Sequence, residues 1–212
     1  MSSTVLGDLA RRRGACALIA IKERVRCKTR LADVLAPPQR IELVRSMLEA
    51  VLAAARNAPT VHQVIVISPE RDTVPAEIPV LADTGESLNS ALVQAHTMLR
   101  EFGCHEVVVL PADLPMITSA EIDELVRAGR AGGFAIASDA AGVGTNALCL
   151  ATTLPFRFQF GPDSRRLHFQ EAQRLGANPQ WVRHHPGLEF DVDSPADLEL
   201  LEGRQWLTRL RA

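Results

Sequence analysis

The 212-residue chain lacks both common glycine signatures for phosphate: neither G-x-x-x-x-G-K-[ST] nor G-x-G-x-x-G occurs in it, which argues against a P-loop ATPase or a standard dinucleotide enzyme. It also lacks a surplus of either charge. With 23 Lys and Arg against 25 Asp and Glu the net charge is −2, so no overall field favours nucleic acid or an anionic membrane, and small-molecule chemistry is expected. The four cysteines, Cys16, Cys27, Cys104 and Cys149, form no C-x-x-C pair, which speaks against a structural zinc site or a disulfide framework and fits a reducing cytoplasm. There is no internal repeat, no Ser/Gly-rich linker and no apolar run long enough to span a bilayer. Arg11-Arg-Arg13 followed by Gly14 to Ile21 imitates a signal peptide only faintly, because the apolar run is short, ends at Lys22-Glu-Arg24 and has no small-residue cleavage site after it. A polar tail over 1–14 and one domain over 15–212 are therefore expected.

The stretch around which the rest is arranged is His105-Glu-Val-Val-Val-Leu-Pro-Ala-Asp-Leu-Pro115. Val107 to Leu110, three of them β-branched, read as a strand buried on both faces, and the Pro-Ala-Asp-Leu-Pro corner ends it. Asp113 then lies just past the carboxyl end of a central strand, where open α/β sheets bind ligands and where a carboxylate can hold Mg²⁺ on a nucleotide phosphate. The other reading is an Asp that hydrogen-bonds the turn between its prolines.

Further strands are expected at Ala15–Ile21, Val61–Ile67, Pro79–Ala82, Phe134–Ser138 and Ala147–Ala151, with a weak edge strand at Trp181–Arg183. Pro37-Pro38 opens a helix with Ile41, Val44, Met47, Leu48, Val51 and Leu52 at helical spacing, and Asn57-Ala-Pro59 closes it. A second helix runs from Asn89 to about Phe102, Thr118-Ser-Ala-Glu121 is a capping box for a third, an amphipathic helix follows Ser164, and Ser194-Pro195 starts the last. Strand and helix in alternation with short connections indicate an α/β fold with a mostly parallel central sheet covered by helices on both faces. The alternation breaks at the glycine-containing loop Asp139 to Asn146.

Three features seek phosphate. Lys22, Lys28 and Arg30 stand on the loop after the first strand and could neutralise a triphosphate, although a solvated charge run is the commoner use of such a loop. Gly161-Pro-Asp-Ser164 precedes a helix whose first amides and a Ser hydroxyl suit an anion; Ser164 or Asp163 as an ordinary cap is the alternative, and Thr145 could make a similar contact. Asp113 with Asp191 or Asp193 forms a carboxylate pair suited to Mg²⁺, while Asp193-Ser-Pro195 taken alone reads as a helix start. His168 is a candidate for touching substrate, although a helix-surface or supporting residue is the commoner use of such a histidine, and Cys149 reads as core.

Taken together, Ile19-Ala-Ile-Lys22 with Lys28-Thr-Arg-Leu31, Pro111-Ala-Asp-Leu-Pro115, Gly142-Val-Gly-Thr-Asn-Ala-Leu148, Phe160-Gly-Pro-Asp-Ser164 with His168, and Asp191-Val-Asp-Ser-Pro-Ala-Asp-Leu198 resemble the guanylyltransferases of deazaflavin coenzyme F-420 biosynthesis. That family includes 2-phospho-L-lactate, phosphoenolpyruvate and 3-phospho-D-glycerate guanylyltransferases. The resemblance covers about residues 15–200 in order, and its departure from related sugar and molybdopterin nucleotidyltransferases is a Lys-Thr-Arg segment in place of their Gly-rich opening loop. It implies a single-domain, Rossmann-like nucleotidyltransferase fold and a homodimer, to which the cysteine usage adds the expectation of a cytoplasmic protein. It implies Mg²⁺ on Asp113 and Asp191, the phosphorylated acid on Thr145, Gly161 and Ser164, the GTP phosphates at Lys22, Lys28 and Arg30, and guanine near the Leu88-Asn89 turn. A phosphate oxygen of the acid would attack the α-phosphorus of GTP, a step that needs no general base because a phosphomonoester is already largely ionised near neutral pH, its second pKa being about 6. Rival readings are a nucleotidyltransferase acting on a sugar phosphate or molybdopterin and a non-catalytic GTP-binding subunit.

Overall fold

The computed structural model describes residues 14–21, 28–83 and 87–203. Within them β1 (Ala15–Ala20), β2 (Val61–Ser68), β3 (Val80–Ala82), β4 (Glu106–Pro111), β5 (Phe134–Ser138), β6 (Thr145–Ala151) and β7 (Gln180–Trp181) form one sheet in the order β3-β2-β1-β4-β6-β5-β7. All neighbouring pairs are parallel except those made by β6, which runs against both β4 and β5. The β5–β6 connection is the loop where the alternation breaks, and it is too short for a crossover helix, so the chain must return antiparallel. The edge strand expected at Trp181–Arg183 forms one residue earlier, pairing Ala135 with Gln180 and Ile136 with Trp181.

Both faces of the sheet are covered. Helices α1 (Pro37–Asn57) and α3 (Ser119–Gly132) pack Leu48, Val51, Ile122 and Leu125 on one side, against Ala17, Ile19, Val108 and Leu110. Helices α2 (Leu88–Glu101) and α4 (Ser164–Arg174) cover the other, with Leu92, Leu99 and Ala172 against Leu18, Val107 and Val109. This two-sided burial is why β1 and β4 are apolar runs without alternation. A third cluster of Leu31, Leu43, Met47, Val192, Leu198 and Leu201 joins α1 to the short α5 (Pro186–Glu189) region and to α6 (Pro195–Gly203). It also corrects the expected stripe of α1: Ile41 is 45 % exposed and Leu43 is buried, because this helix packs against the third cluster as well as the sheet.

The capping box of α3 does more than start a helix. Glu121 Oε2 accepts from the Thr118 amide and hydroxyl, both at 2.8 Å, while Oε1 accepts from the buried Gly187 amide at 2.8 Å. It thereby fastens the turn of α5 that leads into Asp191. Glu121→Ala would strand the Gly187 and Thr118 amides, so we expect a loss of about 2–3 kcal/mol, a sum of a lost cap and an unsatisfied buried donor. Each kcal/mol is worth about 2–4 °C in a domain of this size, and a thermal melt unmoved within 2 °C would show that the bond to Gly187 is dispensable.

Candidate active site

The β-strand order reverses between β1 and β4: the chain leaves β1 for β2 on one side and returns after β3 to β4 on the other. Ligands in open α/β sheets bind at the carboxyl ends of strands at such a switch point. The turn carrying Lys28 and Arg30 follows β1 here, Asp113 follows β4, and a cavity of about 680 Å³ opens between them.

Lys28 is the centre of the charge arrangement. Its Nζ donates to Asp113 Oδ2 at 2.5 Å and to Asp193 Oδ1 at 2.7 Å, with its side chain only 8 % exposed. Burial works against the ammonium, but the two carboxylates outweigh it and hold the Lys28 pKa above its ordinary value. The turn is held by Leu31, which is fully buried in the third cluster, and by the Leu31 amide donating to the Lys28 carbonyl at 3.0 Å. Lys28 takes a left-handed backbone, φ 52°, which costs a non-glycine residue roughly 1–3 kcal/mol and is characteristic of functional positions. Arg30 reaches Asp193 only at 3.7 Å with a side chain 78 % exposed, so its contribution in this state is small.

Asp191 and Asp193 flank Val192, which is fully buried and donates its amide to the Asp113 carbonyl at 3.3 Å. Alternate residues of an extended segment face the same way, so anchoring Val192 inward directs both carboxylates to the cavity. The Asp191 carboxyl accepts from Asn146 Nδ2 at 3.2 Å, and its pKa is pushed up by burial and by the negative charge of Asp113 and then Asp193. That mutual repulsion is the mark of two hard oxygen donors facing one space. Among the described residues no three His, Cys, Asp or Glu side chains converge to hold an ion alone. The set suits Mg²⁺, which is usually held by one or two carboxylates and completed by substrate phosphate oxygens and water.

The opposite wall is built from β6 and the approach to α4. Asp139 braces the 139–144 loop, its two oxygens accepting from the Val143 and Gly144 amides at 2.8 and 3.0 Å. A Cβ on Gly144 would come within 2.7 Å of Asp139 Oδ2, so a larger residue there would push the Asp139 carboxylate out of its bracing position. Gly161 has φ +133°, a conformation that side chains rarely adopt, and a Cβ there would meet nothing within 4 Å. Asn89 clasps this loop: its Nδ2 donates to the Phe160 carbonyl at 3.1 Å and its Oδ1 accepts from the Phe160 amide at 2.8 Å. Neither alternative for capping α4 is realised. Asp163 occupies the cap position with a left-handed backbone and no capping bond, its carboxylate turned to Arg166, and Ser164 is 2 % exposed with its side chain on the cavity wall.

Of the residues singled out from the sequence, Lys28, Arg30, Leu88, Asn89, Asp113, Thr145, Gly161, Ser164 and Asp191 all line this one cavity. Lys22 lies outside the described residues. His168 does not line the cavity: it has no exposed surface and stands behind Thr145, with Nδ1 3.0 Å from the Thr145 hydroxyl. Sequence alone offers Asp193 as an alternative to Asp191 for Mg²⁺ but not as the partner of Lys28, and it singles out neither Asn146, the partner of Asp191, nor Asp139, the loop brace. An Asp just before a glycine-rich loop is a recognisable local signal for the last of these. A signal also existed for Lys28, since Lys22 and Lys28 are the only lysines of the chain.

Residues 15–204 match the family model described as "Guanylyl transferase CofC like". The chain is 38 % identical over 192 residues to a phosphoenolpyruvate guanylyltransferase of Rubrobacter xylanophilus, covering 88 % of this chain and 92 % of that one. It is 36 % identical over 194 residues to a protein of the same name from Nocardia farcinica, covering 86 % and 83 %. Among solved structures it resembles a nucleotidyl transferase from Methanothermobacter, with a TM-score of 0.64 at 16 % identity over 93 % of this chain and all of that one. A 4-diphosphocytidyl-2C-methyl-D-erythritol synthase gives 0.63 at 16 % identity over 92 % of this chain and all of that one. At these identities the two structures speak to the fold alone.

Proposed function

Because the chain belongs to the CofC-like guanylyl transferase family, and is a guanylyltransferase, we propose that it transfers GMP from GTP to the phosphate of a small phosphorylated carboxylic acid in coenzyme F-420 biosynthesis. Phosphoenolpyruvate is the acid proposed first, since it appears in the names of the relatives. The observation that carries this reading is the division of one cavity into two chemical halves: a lysine braced by acids on the β1–β4 side, and hydroxyl and glycine backbone on the β6–α4 side.

In this reading a phosphate oxygen of the acid forms a bond to the α-phosphorus of GTP as the bond to the β-bridging oxygen breaks, and pyrophosphate leaves with that electron pair. Held by Asp113 and Asp191, Mg²⁺ would neutralise charge developing on the phosphoryl oxygens. Thr145, Gly161 and Ser164 bind the acid and fix its phosphate for in-line approach. Lys28 faces the triphosphate and returns charge balance to the acidic rim. No side chain needs to remove a proton, because the attacking phosphate is already ionised. Leu88 is proposed to lie near guanine, with Asn89 shaping that end of the cavity through its hold on Phe160. The homodimer implied by the family resemblance belongs to the same proposal and is checked by sedimentation equilibrium.

The test is to incubate the protein with GTP, Mg²⁺ and, separately, phosphoenolpyruvate, 3-phospho-D-glycerate or 2-phospho-L-lactate, following pyrophosphate and identifying the nucleotide product by mass. Turnover with phosphoenolpyruvate is expected. Turnover with one of the other acids alone would replace the substrate and keep the reaction. Pyrophosphate from none would overturn the reading and direct the search to sugar phosphates.

A further inference from the structure

His168 is enclosed, yet both of its ring nitrogens are committed, and the commitments have a direction. The backbone amide of Gln159 points at Nε2 from 2.8 Å. A backbone N–H only donates, so Nε2 must present its lone pair, and the ring proton of the neutral imidazole must sit on Nδ1. Nδ1 lies 3.0 Å from Thr145 Oγ1. The imidazole is therefore the donor in that contact and the Thr145 hydroxyl the acceptor, which leaves the hydroxyl's own proton free to turn away from the ring. Thr145 lines the cavity, so that proton is available to an acceptor bound there.

The surroundings hold this arrangement in place. The rings of Phe156 and Phe160 stand 5.7 and 4.8 Å from the imidazole centroid, and among the described residues no carboxylate pairs with it. Burial pushes the His168 pKa down to about 4, so the ring stays neutral across the physiological range. Ser164 lies one helical turn before His168 on α4, so the same face of one helix carries the second hydroxyl of the wall and the residue that orients the first.

We propose that His168 is a positioning residue of the acid subsite: the Gln159 amide fixes its Nδ1–H tautomer, and that tautomer makes Thr145 a committed proton donor to an anionic oxygen of the substrate. The identity of that substrate rests on the function proposed above, whereas the tautomer is a property of the protein alone. A hydroxyl held this way favours a carboxylate or phosphate oxygen and gains nothing from a group that can only donate.

The ¹⁵N spectrum of the imidazole in the ligand-free protein at neutral pH tests the first step. Nδ1 is expected in the protonated range and Nε2 in the unprotonated range; the opposite pattern, or two protonated nitrogens, would overturn the proposal while leaving the function untouched. The second step is read with phosphoenolpyruvate as probe, by titration calorimetry and by KM. His168→Leu and Thr145→Val should each raise its KM about tenfold with the KM for GTP within twofold, and the double variant should be no worse than either single one. His168→Asn, which restores an N–H at the Nδ1 position, should recover at least half of the loss on a logarithmic scale. Equal rises in the KM for both substrates, or multiplicative effects in the double variant, would reduce His168 to packing. Should His168→Leu fail to fold, Thr145→Ser against Thr145→Val still isolates the hydroxyl, and wild-type affinity in Thr145→Val would overturn the proposal. Absence of turnover in the wild type with every acid would overturn the proposed function instead, with the tautomer result still standing on its own.

Discussion

Asp113→Asn is expected to lower kcat/KM by about 10³-fold, which corresponds to roughly 4 kcal/mol of transition-state stabilisation. The substitution keeps the shape of the side chain and a carbonyl oxygen that Lys28 can still reach, so the 2.5 Å contact need not collapse. What it removes is a full negative charge at the carboxyl end of β4, one of the two hard oxygen donors that face each other across the cavity. In the proposed reaction that charge both holds and orients Mg²⁺, so the loss should appear in kcat and in the Mg²⁺ dependence, with the KM for the acid nearly unchanged. Because Asp113 is one source of the repulsion that pushes up the Asp191 pKa, the variant should also bring that pKa down. Steady-state kinetics over a Mg²⁺ range provide the check. Activity within tenfold of wild type at saturating Mg²⁺ would remove Asp113 from the catalytic centre.

The parts of this molecule that were legible in its sequence are those fixed by near neighbours. Val107 to Leu110 announces a strand covered on both faces because four apolar residues in a row cannot alternate, and the Thr118 capping box is local chemistry. The reversal of β6 was legible only as a break in rhythm; which strands it separates depends on pairings such as Val108 with Cys149 that no local pattern encodes. The same limit applies to the site. Asp113 is placed by the corner that ends its own strand, but its bond to Lys28 spans 85 residues, and that of Asp193 to Lys28 spans 165. Asp193 is legible both as a candidate beside Asp191 for Mg²⁺ and as part of a helix start, and a role in the site is compatible with the helix start: Ser194 and Asp197 cap α6 between themselves, with Asp197 Oδ2 accepting the Ser194 amide at 2.7 Å, while the Asp193 carboxylate faces Lys28. His168 is the converse case. Its position one turn beyond Ser164 was visible, but the amide that decides its tautomer comes from Gln159, on a segment with no regular structure.

Lys28 is where geometry, charge and strain meet, and neither Met nor Arg should replace it. For Lys28→Met and Lys28→Arg alike we expect kcat/KM to fall by about 10²–10³-fold, with the arginine variant recovering less than tenfold over the methionine one. A lysine ammonium is a compact point charge that can sit between two carboxylates at 2.5 and 2.7 Å, whereas a guanidinium is planar, bulkier and directed by its fork. With the Lys28 side chain 8 % exposed and lining the cavity, the larger group must either displace Asp113 or Asp193 or turn into the space proposed for the triphosphate. Of the 23 Lys and Arg of the chain only Lys22 and Lys28 are lysines, so general composition does not account for a lysine here. The methionine variant should also lose stability, since Asp113, Asp191 and Asp193 would then face one another without the Lys28 ammonium between them. Side-chain exposures of 27 % and 49 % at Asp113 and Asp193 leave that repulsion open to screening. Melting temperature should therefore fall by a few degrees at low ionic strength and recover in about 1 M salt, where the screening length is near 3 Å. An arginine variant with a third or more of wild-type activity would show that charge alone suffices. A methionine variant that melts like the wild type at low salt would show that the bridge to Asp113 and Asp193 carries no weight in the resting protein.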